Sequence, residues 1–294
     1  HALWRSYFAK GGMALGYSHV NKIIIENGQA KGVEILGGEK YQANKLVASA
    51  IDLKQTFLEL IDETYLEENF IKKIQSFILD EFSIFGVHLA LNEPPFHTAA
   101  NFNPDIDRAF KLNIGLETPE DYQSLWAEIR SGKLPEHQGL FCSVPTLFDS
   151  SQAPKGKHTA LIWQPAPYDL KEGGPQAWDR IKNDYMDQCI AKWKDYAPNL
   201  NDSNIIKKIA LSPLDIERKL SNMKNGGVFM GRTILGQLEY FRPMPELSQY
   251  QAPVENLYLC GACCHPGGGI IGAAALIAAE IIAEDHGLDK WWES

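Results

Sequence analysis

The 294-residue sequence has neither an initiator methionine nor a basic leader followed by an apolar stretch, so it is expected to continue a longer protein. Its longest apolar run, Ile270 to Ala283, is interrupted by Glu280 and falls short of the roughly 20 residues that a membrane-spanning helix needs. Membrane contact is therefore expected to be peripheral at most. Cysteine is scarce, five in all. An odd number in a chain of this length argues against a disulfide framework and for a reducing compartment, such as the cytoplasm or the mitochondrial matrix. In that setting Asn201-Asp202-Ser203 is an unused glycosylation sequon. Positive charge is in deficit as well, because 28 Lys and Arg against 37 Asp and Glu leave a net charge of −9. Such a balance repels phosphate backbones and argues against a nucleic-acid partner. Absent too are G-x-S-x-G, H-E-x-x-H, the P-loop and the EF-hand loop, and with them the chemistries they carry.

What is present suits one large or two smaller domains of mixed helix and strand. Lys22 to Ile35 reads as a hairpin, because β-branched Ile23-Ile24-Ile25 and the strand Gly32 to Ile35 flank Asn27-Gly28. Lys45 to Ala50 suits a buried strand, and Phe57, Leu60, Ile61, Phe70, Ile74 and Phe77 predict a helix over Asp52 to Leu79. Strands are expected at Ser83 to Leu91, Lys111 to Gly115, Gly139 to Val144 and Thr159 to Gln164. Helices are expected at Glu120 to Arg130 and Ala177 to Tyr196, with a further start at Ser212-Pro213, where serine can cap and proline can occupy the first helical position.

The segment Leu257 to Ala274 reads as strand, glycine-rich turn and helix, the helix running to about Asp285 and closed by Gly287. Gly267, Gly269 and Gly272 satisfy G-x-G-x-x-G, yet a self-contained dinucleotide unit needs a second parallel strand and an acidic residue roughly 20 positions on. The sequence stops before that, at Ser294. Two readings stay open at this point: a turn that merely packs an alanine-rich helix, or a second contact to a cofactor held mainly elsewhere. Cys260, Cys263, Cys264 and His265 form only half of a zinc knuckle, so no metal site is expected and the thiols read as small buried side chains. His88 and His97 read as structural or surface histidines, and Glu67-Glu68 and Asp80-Glu81 as solvated faces.

The tail, from Asn256-Leu257-Tyr258-Leu259-Cys260-Gly261 through His265-Pro266-Gly267-Gly268-Gly269 to Gly272-Ala273-Ala274, closely resembles the C-terminal flavin motif of the phytoene desaturase-like FAD-dependent oxidoreductases. Ala9-Lys10-Gly11-Gly12-Met13, Gly32 to Ile35 with Ala43 to Asp52, Leu211 to Glu217, Gly226 to Phe229 and Arg242-Pro243 extend the resemblance from about Ala9 to Gly287. It implies an α/β plus α+β architecture: a partial, discontinuous, Rossmann-like FAD-binding domain from residues 1–52 and 246–294, and an antiparallel-sheet substrate domain from 53–245. It also implies FAD as cofactor, with Gly11, Gly12, Met13, Gly261, Ala262, Pro266, Gly267, Gly268, Gly269, Ile270, Gly272 and Ala273 as its contacts and His265 as the candidate catalytic side chain. Arg242 would line the substrate side or pair with a carboxylate. The implied reaction is hydride transfer from a mostly apolar small molecule to flavin. The alternative is a non-catalytic interaction or scaffold protein that keeps the fold without FAD. The family's N-terminal ADP-binding fingerprint is missing from the sequence, and the connection from Gly12 to Val20 is unusually short.

Overall fold

In chain order the elements are α1 (Ala2–Ala9), β1 (Val20–Glu26), β2 (Gln29–Ile35), β3 (Lys40–Gln42), β4 (Val47–Ser49), α2 (Glu68–Ser76), β5 (Ser83–Leu91), β6 (Leu112–Ile114), α3 (Pro119–Arg130), β7 (Leu140–Ser143), β8 (His158–Ala166), α4 (Trp178–Lys194), β9 (Ile205–Leu211), α5 (Pro213–Lys219), β10 (Leu257–Leu259) and α6 (Ala273–Asp285). They are seen in a computed structural model that describes residues 2–269, 272–290 and 292. Two compact units result: residues up to Phe77 together with those from Ile234 onward, and Ile78–Thr233 between them. Residues 53–77 and 234–245, assigned above to a middle domain, lie in the first unit. The bonding accounts for this: the Ile23 amide donates to the Leu60 carbonyl at 2.8 Å, and Arg242 donates to the Ala262 carbonyl at 2.8 Å.

In the first unit β1 and β2 form the expected hairpin. Asn27 and Gly28 both take positive φ, 52° and 78°, and Glu26 pairs with Gln29. This is a two-residue turn whose handedness matches the strand twist. β3 adds antiparallel to β2, giving the order β1-β2-β3. A separate parallel pair joins β4 to β10 across more than 200 residues of chain, with Leu257 opposite Val47 and Leu259 opposite Ser49. An isolated parallel bridge between Gln29 and Glu255 accompanies this pair. The helix predicted over Asp52–Leu79 is broken into a π-helical turn at Gln55–Glu59, a 3-10 turn at Glu63–Tyr65 and α2. Asp62 causes the break: its carboxylate accepts from the Thr64 amide at 3.0 Å and hydroxyl at 2.7 Å, which holds Asp62 itself extended.

The second unit is a five-stranded antiparallel sheet, order β6-β7-β8-β5-β9. Phe85, Val87, Leu89 and Leu91 alternate along β5 onto one buried face, with Ile162 of β8 on the same side. α4 belongs to this core through Trp178, Tyr185, Cys189 and Trp193, spaced at helical intervals. Phe85 stacks on Trp178 at 5.4 Å and meets Tyr185 edge to face at 5.0 Å. Each such side chain contributes about 1.5–3 kcal/mol by leaving water. His97 is structural, as read from the sequence. Its Nδ1 sits 2.8 Å from Asp107, and its Nε2 accepts from the Trp193 indole at 3.0 Å.

Candidate functional site

The site residues past position 260 gather where β4 and β10 end. Ser49 is followed by Ala50, and Leu259 by Cys260 and Gly261, with the Cys260 amide donating to the Ser49 carbonyl at 2.8 Å. A Cβ on Gly261 would lie 2.5 Å from the Ala50 carbonyl oxygen, so the two backbones touch and only glycine fits. Asp52, buried just beyond, accepts from the amides of Lys54 at 2.9 Å and Gln55 at 3.1 Å and from the Gln55 side chain, while the Ser49 and Thr56 hydroxyls meet at 2.7 Å. These bonds pin the turn after β4. The sequence carried a signal for it in Asp52-Leu53-Lys54-Gln55, a variant of the capping-box spacing.

The three thiols behave as small core groups. All five cysteines are free. Cys260 Sγ donates to the Ser49 carbonyl at 3.6 Å and Cys263 Sγ to that of Ile51 at 3.7 Å. Burial pushes the Cys260 thiol up. Cys264 is raised by its hydrogen bond to Cys263 and by burial, against an opposing pull from the Arg242 charge. The described residues hold no cluster of metal-ligating side chains.

The turn from Ala262 to Gly269 is held at three points. Tyr250 donates its hydroxyl to the His265 carbonyl at 2.5 Å, and burial pushes that phenol up to about 12, so it stays a donor. Arg242 Nη2 donates to the Ala262 carbonyl at 2.8 Å, and Nη1 reaches the Gln237 carbonyl at 3.4 Å. Gly267, at φ 107°, packs over the same guanidinium, where a Cβ would lie 3.3 Å from Arg242 Nε. Arg242 is 3% exposed, so its guanidinium is buried beside the turn rather than displayed on an open face. Sequence reading placed it outside the turn it supports, because 20 residues separate it from Ala262. Tyr250 was missed altogether. Gly269 and Gly272 carry φ of 118° and 67°, and a Cβ on either would meet nothing within 4 Å. Among the described residues their backbones face open space, Gly272 at the amino end of α6. Gly272, which has no side chain to cap that end, precedes a first turn without acidic residues. The helix amides and dipole there favour negative charge.

His265 is half-buried and helps line a recess of about 250 Å³ with Tyr240, Ser248, Tyr250, Ile277 and Ile281. Ala262, Gly268 and Ala273 are half-buried and Pro266 is exposed, while Ile270 lies outside the described residues. The contacts of Gly11, Gly12 and Met13 are with α1. Gly12 lies under the Tyr7 ring, Tyr7 donates its hydroxyl to the Met13 carbonyl at 2.9 Å, and Met13 is 84% exposed.

No family model matches the chain. It is 32% identical to pyridine nucleotide-disulfide oxidoreductase domain-containing protein 2 of Rattus norvegicus over 97% of its own length and 49% of that protein. A limonene dehydrogenase polypeptide of Castellaniella defragrans is 30% identical over 96% and 53% of the two chains. A lycopene-forming phytoene desaturase of Paracoccus sp. is 28% identical over 94% and 51%. The chain thus spans about half the length of these curated relatives. Among solved structures, an oxidoreductase from Methanosarcina mazei superposes with a TM-score of 0.52 at 14% identity, over 95% of this chain and 52% of that one. This likeness confirms the mixed helix and sheet fold.

Proposed function

Given a chain whose homologues include pyridine nucleotide-disulfide oxidoreductase domain-containing protein 2 and phytoene desaturases, we propose that it provides the catalytic half of an FAD-dependent oxidoreductase. The observation that carries the reading is the glycine turn leading into α6, with Gly269 and Gly272 open to approach and no acidic residue in the helix's first turn. Either glycine leaves its backbone open to a flat ring with polar edges, because neither carries a side chain. FAD, when bound, supplies the hydride acceptor. The glycines would admit the ring, and the α6 amides would favour negative charge placed against them. On this reading Gly261 and Ala262, at the end of β10, and Gly11, Gly12 and Met13 are further cofactor contacts, as the resemblance implies. His265, directly before Pro266, is the side chain offered for positioning or proton transfer. The first unit holds the cofactor in a Rossmann-like manner, and the second serves the substrate.

The substrate class is a mostly apolar organic molecule oxidised across a C–C or C–N bond, losing a hydride from C–H and a proton from the neighbouring atom. Support comes from the names of two relatives, which specify limonene and phytoene, both hydrocarbons. Titrating FAD into the purified chain, with released cofactor identified by mass spectrometry, tests the reading. Saturable uptake is expected, and Gly268→Leu should abolish it while the melting temperature moves by only a few degrees. A folded wild-type chain that takes up no flavin, or a Gly268→Leu protein that binds it normally, would leave the non-catalytic scaffold reading.

A further inference from the structure

Arg242 is a cation taken almost wholly out of water, with two of its donors on backbone carbonyls. A buried guanidinium is costly unless its donors are used, and a rigid planar fork suits it to hold two acceptors in fixed relation. Here the fork joins the Gln237 carbonyl to that of Ala262, at the start of the glycine turn, and the bare backbone of Gly267 lies across its Nε edge. Its charge also reaches Cys264, midway between those two points of the turn. From this arrangement we propose that Arg242 is a positioning residue. It sets the shape of the Ala262–Gly269 turn from beneath and places a fixed positive charge behind the backbone that faces the ligand. The proposal rests on the flavin reading for the identity of that ligand. The positioning itself does not depend on it.

Two pairs of variants separate geometry from charge. Arg242→Lys keeps the charge and loses the fork, whereas Arg242→Gln loses the charge. Gly267→Ala and Gly269→Ala impose comparable backbone strain, since both positions have positive φ, but only the first would press on the guanidinium. Hydrogen exchange of the peptide covering 262–269 should quicken roughly tenfold in Arg242→Lys and Arg242→Gln, an opening about 1.4 kcal/mol easier, with exchange in the second unit unchanged. Gly267→Ala should exceed Gly269→Ala in the same peptide. For protein loaded with FAD, Arg242→Gln should lower the midpoint potential of the flavin and Arg242→Lys should largely preserve it.

Unchanged exchange in both Arg242 variants would overturn the positioning role, and so would equal effects of the two glycine substitutions. A wild-type chain that binds no flavin would defeat the functional reading while the exchange results still decide the role of Arg242. If the Arg242 variants fail to fold, the comparison between the two glycine variants decides it alone.

Discussion

At the scale of single residues, Gly261 and Gly269 show that neighbouring glycines do different work. At Gly261 the added Cβ would strike the Ala50 carbonyl, whereas at Gly269 it would meet open space. Gly261→Ala should therefore cost about 1–3 kcal/mol through overpacking of the β4 and β10 ends. A urea melt should show the loss as a lower midpoint at unchanged slope, and a wild-type midpoint would refute the close approach. The sequence showed that this run of glycines needed a reason, because their backbone entropy is costly. It did not show that Gly261 answers to Ala50, since the two are distant in the chain and meet only through strand pairing. Arg242 illustrates the same limit. The acceptors it holds at Gln237 and Ala262 are main-chain carbonyls, which every residue type presents alike.

At the scale of elements, the start of α5 was legible to the residue. Ser212 accepts from the Asp215 amide at 3.2 Å, and Asp215 returns the bond to the Ser212 amide at 2.9 Å, a complete capping box ahead of Pro213. Ser212→Ala should cost about 1 kcal/mol. Burial pushes the Asp215 carboxyl up, but Lys182, at 2.9 Å from both oxygens, and the Ser212 amide and hydroxyl outweigh it, so the group sits below its ordinary value. A proton then binds the unfolded chain before the folded one. The contribution is complete above the ordinary carboxylate pKa of about 4 and is lost as pH falls through the lower folded value. The stability deficit of Asp215→Asn should accordingly be largest near neutrality and shrink between about pH 5 and pH 2 in denaturant titrations. A deficit independent of pH would contradict the assignment.

Other elements were less legible. β5, α3 and α4 follow clear periodicities, and their observed bounds lie within a few residues of expectation. β9 went unread because Ile-Ile-Lys-Lys-Ile-Ala-Leu does not alternate. It is an edge strand paired only to β5, and its lysines suit an edge that should not recruit another chain. The break at Asp62 was also hidden, since a continuous apolar spacing outweighed one local carboxylate in the reading.

At the scale of the whole molecule, cysteine distribution offers a compact check. Cys142, Cys189, Cys263 and Cys264 are buried and only Cys260 is partly accessible. Burial pushes Cys142 up and raises Cys189 to about 12. A thiol reagent near pH 8 should therefore react with about one group or fewer on a timescale of minutes, and with all five after denaturation. Rapid reaction of three or more in the folded protein would contradict this burial. No helix among the described residues is long and apolar enough to cross a membrane, as the interrupted Ile270 to Ala283 run led one to expect.

By itself the sequence determined the hairpin turn, the alternating face of β5, the buried stripe of α4, the α5 cap and the strand, turn and helix of the tail. All of these are local: the residues that cause them lie within a few positions of one another. Tertiary structure alone decided the parallel pairing of β4 with β10, the order of the five-stranded sheet, the unit boundary at Phe77 and the seat of Arg242 beneath the glycine turn. These depend on which backbone groups meet across long stretches of chain. Strand edges and carbonyl oxygens carry no residue-specific mark, so only the closing of the core selects their partners.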